Sequence, residues 1–280
     1  MSSHPVVRWP AEAVWEAVQP LWPDFSVEVL PEIDSTNTEL MRRARAGRDE
    51  RVLLVAERQT AGRGRLGRVW QSGVEGSLGE AAEGPPSLMM SLGLPLAPRD
   101  WSGLSLAVGL SLVESLDPDG RSGLGLKWPN DLWLQDRKVG GILIETAGAG
   151  AVAAGQAVPP RYVVIGIGLN VLPRQAEGLS TTPACLRDFW PEASAPQALA
   201  RVVPALARTV HDFVEQGFAP LQARFAARDV LRGREVRTSD GLEGRSLGVG
   251  ADGALLVHTL HGTQAIHSAE VSVRPVVASR

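Results

Sequence analysis

The apolar positions of this chain fall into short runs whose spacing changes repeatedly along its length. Val14, Trp15 and Val18 lie at helical spacing and predict a short amphipathic helix, and Val27-Glu28-Val29-Leu30 reads as a strand. Ser35-Thr36-Asn37-Thr38 then offers several N-caps to a helix from Glu39 to Ala46, which Gly47 stops. Arg51 to Glu57 carries four consecutive branched apolar residues, Val52-Leu53-Leu54-Val55, and predicts a strand opening into a loop from Arg58 to Trp70. Residues 73–86 are rich in Gly, Glu and Pro with no core pattern, which predicts a flexible insertion. Leu88 to Leu94 is strand-like. Trp101 to Leu116 is apolar at helical spacing and halts before Asp117-Pro118-Asp119-Gly120. Leu124 to Trp128, Asp131 to Leu134 and Lys138 to Glu145 predict strands joined by tight turns. A Gly/Ala-rich loop covers 147–158, Tyr162 to Val171 is a strongly apolar strand, and Gln197 to Gln216 is a helix that Pro204 should kink.

Beyond Asp229 the texture changes. Short β-type runs at 235–237, 245–249, 254–258, 263–266 and 271–273 alternate with Asp240-Gly241, Asp252-Gly253 and His261-Gly262. Aspartyl-glycine between strands favours hairpins, because both residues tolerate positive φ. Five short strands in so few residues predict a small SH3-like β-barrel, with a domain boundary near Asp229 that divides the chain into 1–229 and 230–280.

With 280 residues the chain can bury one large core, or one large and one small. A formal net charge of −3 supplies no global attraction to nucleic acid. Cys185 is the single cysteine, so no intrachain disulfide or cysteine zinc cage is available, and the five His show no metal-ligand spacing. Met1 to Trp9 lacks the apolar core of a signal peptide, and no long apolar run suggests a membrane span. A cytoplasmic protein is the expectation. Lysine occurs only at 127 and 138 and asparagine only at 37, 130 and 170, a depletion best attributed to composition bias. Both surviving lysines flank one segment, Lys127-Trp128-Pro129-Asn130-Asp131-Leu132-Trp133-Leu134-Gln135-Asp136-Arg137-Lys138. A compact ammonium can meet one developing charge in a way that planar guanidinium does not.

Four segments are candidates for chemistry. Gln59-Thr60-Ala61-Gly62-Arg63-Gly64-Arg65-Leu66-Gly67-Arg68-Val69-Trp70 combines glycines that expose backbone N–H groups with arginines able to grip an oxyanion bidentately, and Trp70 can cover an aromatic ring. It is neither a Walker A loop nor a dinucleotide turn. Taken alone it is equally a basic surface loop, for which RNA is one conceivable contact. In the lysine segment, Lys127, Asp131 and Lys138 can face one cavity, with Gly140 and Gly141 leaving room for a ligand, although Pro-Asn-Asp is also an ordinary turn. Gly166-Ile167-Gly168-Leu169-Asn170 is by itself a packing strand with a polar end. Ser35-Thr36-Asn37 holds more hydrogen-bonding groups than capping needs, which suits a small polar head group.

In this order, the four segments closely resemble the biotin protein ligases, from about Asp34 to Val171. The resemblance implies an α+β fold: a mixed-sheet catalytic domain of the biotin/lipoate ligase type, followed by the small barrel. It implies that Ser35, Thr36, Asn37 and Gln59 contact the ureido end of biotin, and that Arg63, Gly64 and Arg65 lie in a loop closing over biotin and its adenylate. Arg68, Trp70, Asn130 and Asn170, with Arg65 and Lys138, would handle the nucleotide. Lys138 would touch the biotin carboxylate and the α-phosphate, and Lys138, Arg65, Lys127 and Asp131 would carry catalysis. The implied reaction forms biotinyl-5′-AMP from biotin and MgATP, then transfers biotin to a lysine of a biotin carboxyl carrier protein. Mg²⁺ would arrive with ATP rather than in a site of its own. Neither DNA nor membrane is an expected partner, and a homodimer is left open. Val69 departs from the basic residue frequent before the loop tryptophan, and the 73–86 insertion is long. The N-terminal winged helix of repressor-type members is missing, so a short form without a transcriptional role is expected. A lipoate ligase or octanoyl transferase is the nearest rival, ahead of a biotin-responsive DNA-binding regulator and an RNA-binding module.

Overall fold

The computed structural model describes residues 7–70, 84–148, 160–175, 181–267 and 273–276. The 73–86 insertion up to residue 83, the 147–158 loop from residue 149 and the 271–272 end of the last predicted strand lie outside them. The larger unit is a mixed seven-stranded sheet in the order β1-β2-β3-β7-β6-β5-β4. Its strands are β1 (Ser26–Ile33), β2 (Val52–Gln59), β3 (Ser87–Leu96), β4 (Gly125–Lys127), β5 (Asp131–Leu134), β6 (Arg137–Ala147) and β7 (Arg161–Asn170). β1 and β2 run parallel because α2 (Thr36–Arg45) crosses between them, and every other neighbour is antiparallel.

Strand alternation sorts the side chains onto two faces. Leu53, Val55, Leu88, Met90, Leu92, Val163, Ile165 and Ile167 join the main core, against α1 (Ala11–Val18), α3 (Leu104–Leu116) and α4 (Ala195–Gln216). Val52, Leu54 and Val164 point the other way and pack with Leu40 and Met41 of α2. Ser91, Gly166 and Gly168 share this second face by the same parity. α2 covers part of it, reaching β3, β6 and β7, and the rest of β6 and β7 on this face lines a cavity.

Several boundaries shift from the sequence expectation for local reasons. α4 starts at Ala195 because Ser194 and Gln197 form a capping box, and the helix runs unbroken through Pro204 to Gly217. α3 starts at Leu104, since Gly103 takes φ 79° and a Cβ there would lie 2.5 Å from Phe218 Cβ. β4 ends at Lys127, with Trp128 already in the turn that holds a cis Trp128–Pro129 bond.

The smaller unit is an antiparallel sheet, β11-β10-β9-β8-β12, built from β8 (Glu235–Thr238), β9 (Glu243–Val249), β10 (Leu255–Thr259), β11 (Gly262–Ile266) and β12 (Val273–Pro275). Its Val236, Val249, Leu255, Val257 and Val273 are continuous with the main core. Trp128 Nε1 donates to Gly253 O at 3.1 Å, and Gln222 Nε2, from α5 (Gln222–Ala226), donates to Val249 O at 2.8 Å. No helix among the described residues is long and apolar enough to cross a membrane.

The connection between the sheets passes Asp229, which bridges to Leu126 of β4. Asp229 Oδ1 accepts from Leu231 N at 2.9 Å, whereas Oδ2 is buried without a partner. Burial therefore pushes this carboxyl up to about 6. Its folded value lies above that of an unfolded aspartate, so the folded state binds the extra proton, and its contribution to stability falls as pH rises from about 4 through 6. Asp229→Asn should flatten that slope by about one titrating group, read from urea unfolding between pH 4.5 and 7.5; an unaltered slope would contradict this.

Candidate active site

The polar end of the open face is built around the first turn of α2. Ser35 is its N-cap, with extended backbone and Oγ accepting from Thr38 N at 3.4 Å. Thr36 donates from N and from Oγ1 to Gln59 Oε1, at 2.7 and 3.1 Å, tying the helix start to the end of β2. Asn37 is buried; its Nδ2 donates to Leu143 O at 3.2 Å and to Glu145 Oε2 at 2.9 Å. Ser91 Oγ lies 2.6 Å from Asn37 Oδ1 and 2.7 Å from Thr36 Oγ1, so one serine joins both neighbours. This packing needs the bare backbone of β7, because a Cβ on Gly166 would overlap Asn37 Oδ1.

The arginine loop leaves β2 just beyond Gln59 and folds back on itself. Gly64 N donates to Arg68 O at 2.7 Å, Arg63 bridges Val69, and Trp70 N donates to Gly62 O at 2.8 Å. A Cβ on Gly62 would overlap Trp70 O, so glycine is required there. The indole of Trp70 lies against Gly168, where a Cβ would sit 2.6 Å from Cε2. Arg63 pairs with Glu145 at 3.2 Å, and Arg65 Nη1 donates to Asn130 Oδ1 at 2.8 Å. Arg65 Nη2 is buried without a partner, and burial lowers the pKa of this guanidinium. A desolvated cation with an unspent donor is poised for an anion.

The third side is the β4–β5–β6 hairpin pair. Lys127 and Asp131 are cross-strand partners, and Asp131 faces Gly141 in the next strand. Lys138 Nζ donates to Asp131 Oδ1 at 2.7 Å, and the lysine also lies 5.9 Å from the Trp70 ring centroid. A Cβ on Gly141 would stand 3.2 Å from that ammonium, so the glycine admits the pair. Lys127 Nζ sits 4.9 Å from the Trp133 ring centroid. Burial pushes its pKa down to about 8, against the opposing pull of Asp131. Asn130 Nδ2 donates to Ile142 O at 2.7 Å, which presents its Oδ1 to Arg65.

Every predicted site residue lines one cavity of about 460 Å³: Ser35, Thr36, Asn37, Gln59, Arg63, Gly64, Arg65, Arg68, Trp70, Lys127, Asn130, Asp131, Lys138 and Asn170. Asn170 is mostly engaged with the backbone. Its Nδ2 donates to Lys138 O and Ala184 O, holding the 181–185 segment against β6. Its Oδ1 accepts from Arg174, which also lines the cavity. The sequence reading missed Arg174, and it missed Arg234 and Arg274, which the second sheet brings to the same cavity. It also missed Ser91 of β3 and Glu145 of β6, polar residues within runs read for their apolar pattern.

Residues 29–170 match the biotin/lipoate A/B protein ligase family, and residues 233–274 match the biotin protein ligase C terminal domain. The chain belongs to the biotin protein ligases. It is 34% identical over 237 residues to the bifunctional ligase/repressor BirA of Escherichia coli, covering 83% of this chain and 69% of that protein. It is 31% identical to the biotin–[acetyl-CoA-carboxylase] ligase of Paracoccus denitrificans, covering 87% of this chain and 98% of the relative. The solved biotin protein ligase of Aquifex aeolicus in complex with biotin and ATP superposes with a TM-score of 0.70 at 27% identity, covering 89% and 99% of the two chains. The α+β architecture, a mixed sheet followed by a small antiparallel sheet, is that of this family.

Gly166→Ala should force Asn37 away from Ser91. The expected cost is about 1–3 kcal/mol, as for other overpacked sites, read from the urea midpoint. An unchanged midpoint would show that the pocket relaxes freely.

Proposed function

We propose that this chain activates biotin with MgATP, giving biotinyl-5′-AMP and pyrophosphate, and then acylates one lysine of a biotin carboxyl carrier protein or domain. The observation that carries the reading is the Lys138–Asp131 pair, set beside Lys127 and Arg65 in a cavity whose far end is Ser35-Thr36-Asn37. Hydroxyl and carboxamide groups at that end match the donors and acceptor of a cyclic urea, while the cations lie where a carboxylate and a phosphate must meet. The cavity is large enough for a ligand of this class.

In the first step a biotin carboxylate oxygen bonds to the α-phosphorus, and the bond to the bridging oxygen breaks to release pyrophosphate. Two anions must approach, so fixed cations supply the chief advantage. Lys138 is our choice for the ammonium between carboxylate and α-phosphate, and the unspent Nη2 of Arg65 is the second donor. Trp70 against Gly168, with Arg68 and Asn130 nearby, is assigned to the adenosine side. Asn170 holds the backbone beside Lys138 and orients Arg174. Magnesium enters with the phosphates as part of the substrate. In the second step the carrier's neutral ε-amine bonds to the acyl carbon, and AMP departs with the bridging oxygen. Asp131 orients the amine and takes its proton. The arginine loop, closing over the mixed anhydride, excludes water.

We place the reaction in the cytoplasm, where ATP is supplied, and divide the chain at Asp229 into a catalytic domain and an SH3-like domain. The net charge of −3 favours a ligase without a DNA-binding role, which a gel shift with biotin and ATP checks.

Incubation with biotin, MgATP and a carrier domain should raise the carrier's mass by one biotinyl group. Transfer of lipoate in preference to biotin would overturn the substrate assignment. Lys138→Arg keeps the charge but spreads it over a plane. ATP–pyrophosphate exchange should fall by about 10²-fold or more, and a near-normal rate would remove Lys138 from the reacting centre.

A further inference from the structure

Glu145, near the end of β6, belongs to none of the four motifs and yet joins two of them. Its carboxylate is divided between partners: Oε2 accepts from Asn37 Nδ2 at 2.9 Å, and Oε1 faces Arg63 Nη2 at 3.2 Å. Asn37 is held in turn by Ser91, and Ser91 lies against Thr36, whose N and Oγ1 bond to Gln59. Gln59 is the last residue of β2, where the arginine loop begins. The contacts thus form a ring. One end of the loop is fixed to the polar pocket through Gln59, and its first arginine returns to the same pocket through Glu145.

We propose that Glu145 is a positioning residue that couples closure of the arginine loop to the arrangement of the head-group pocket, so that a ligand ordering the pocket also holds the loop down. The inference rests on the ligase reading above. A carboxylate suits this position because its two oxygens can serve a carboxamide and a guanidinium together, the second by a charge-assisted bond. Burial sets the direction of the effect. The Glu145 side chain is 21% exposed and that of Arg63 is 49% exposed, so water screens the pair in the ligand-free protein and it contributes little to stability there. A ligand beneath the loop displaces that water, and the same contact then strengthens in the lower dielectric. Glu145 should therefore show itself in ligand retention far more than in folding.

Glu145→Gln separates the two arms. Its amide oxygen still accepts from Asn37, whereas its NH₂ turns a donor towards Arg63, so the pocket survives and the link to the loop is lost. Release of preformed biotinyl-5′-AMP from the full chain, followed by stopped-flow fluorescence, should be about tenfold faster in E145Q, a coupling typical of residues in one hydrogen-bond network. KM for biotin should rise in step, by a larger factor than kcat changes, with the urea midpoint close to that of the unmodified protein. Arg63→Met should have the same effect, and the double variant should release the adenylate no faster than either single one. Release from E145Q at the unmodified rate, or effects that multiply in the double variant, would overturn the inference while leaving the ligase reading intact. Failure of the unmodified protein to form the adenylate at all would remove both.

Discussion

The site exists because parts of two neighbouring strands carry no side chains. Gly141 on β6 and Gly166 and Gly168 on β7 leave the sheet bare where the first turn of α2 and the cavity meet it. Each gap is filled from outside the sheet or from a neighbouring strand: Asn37 against Gly166, the indole of Trp70 against Gly168, and the Lys138–Asp131 pair beside Gly141. A methyl group at Gly166 or Gly168 would collide with its occupant. The polar pocket, the aromatic wall and the cationic centre are therefore consequences of one steric constraint, expressed at three points.

Once the floor is bare, burial sets the electrostatics. Arg65 and Lys127 are both pushed down by desolvation, and Lys127 reaches about 8, near enough to neutrality to lose its proton over a working pH range. Lys138 is ion-paired, its Nζ 2.7 Å from Asp131 Oδ1. Three cations thus share one cavity in different states: one paired, one stacked on Trp133, and one with a donor to spare. Such a set can meet an incoming anion at little reorganisation cost, which is what the proposed adenylation requires.

The second sheet is part of this arrangement. Its core is continuous with that of the larger unit, Trp128 donates to Gly253, and Arg234 clasps Asp136 in the β5–β6 turn at 2.5 and 3.1 Å. The elements that carry Lys127 and Lys138 are thereby braced by a region about a hundred residues further along the chain. Val273, Arg274 and Pro275 of β12 line the same cavity.

Strand and helix positions were largely legible in the sequence because the apolar runs had clear periods, and the four polar segments were legible because their residue types suit close backbone approach and anion binding. Pro204, where a kink was expected, lies inside a single helix that packs against α1 and α3. Which face each residue takes, and who meets whom across it, was decided by pairing register. Glu145 reads as the polar end of an apolar strand until β6 lies beside β7 and brings it to Asn37 and Arg63. Arg234 and Arg274 read as ordinary charges of short strands until the second sheet docks. Local pattern determines which elements form, because it acts through neighbours in the chain. The partners of a buried polar group come from distant segments, so only tertiary packing decided them.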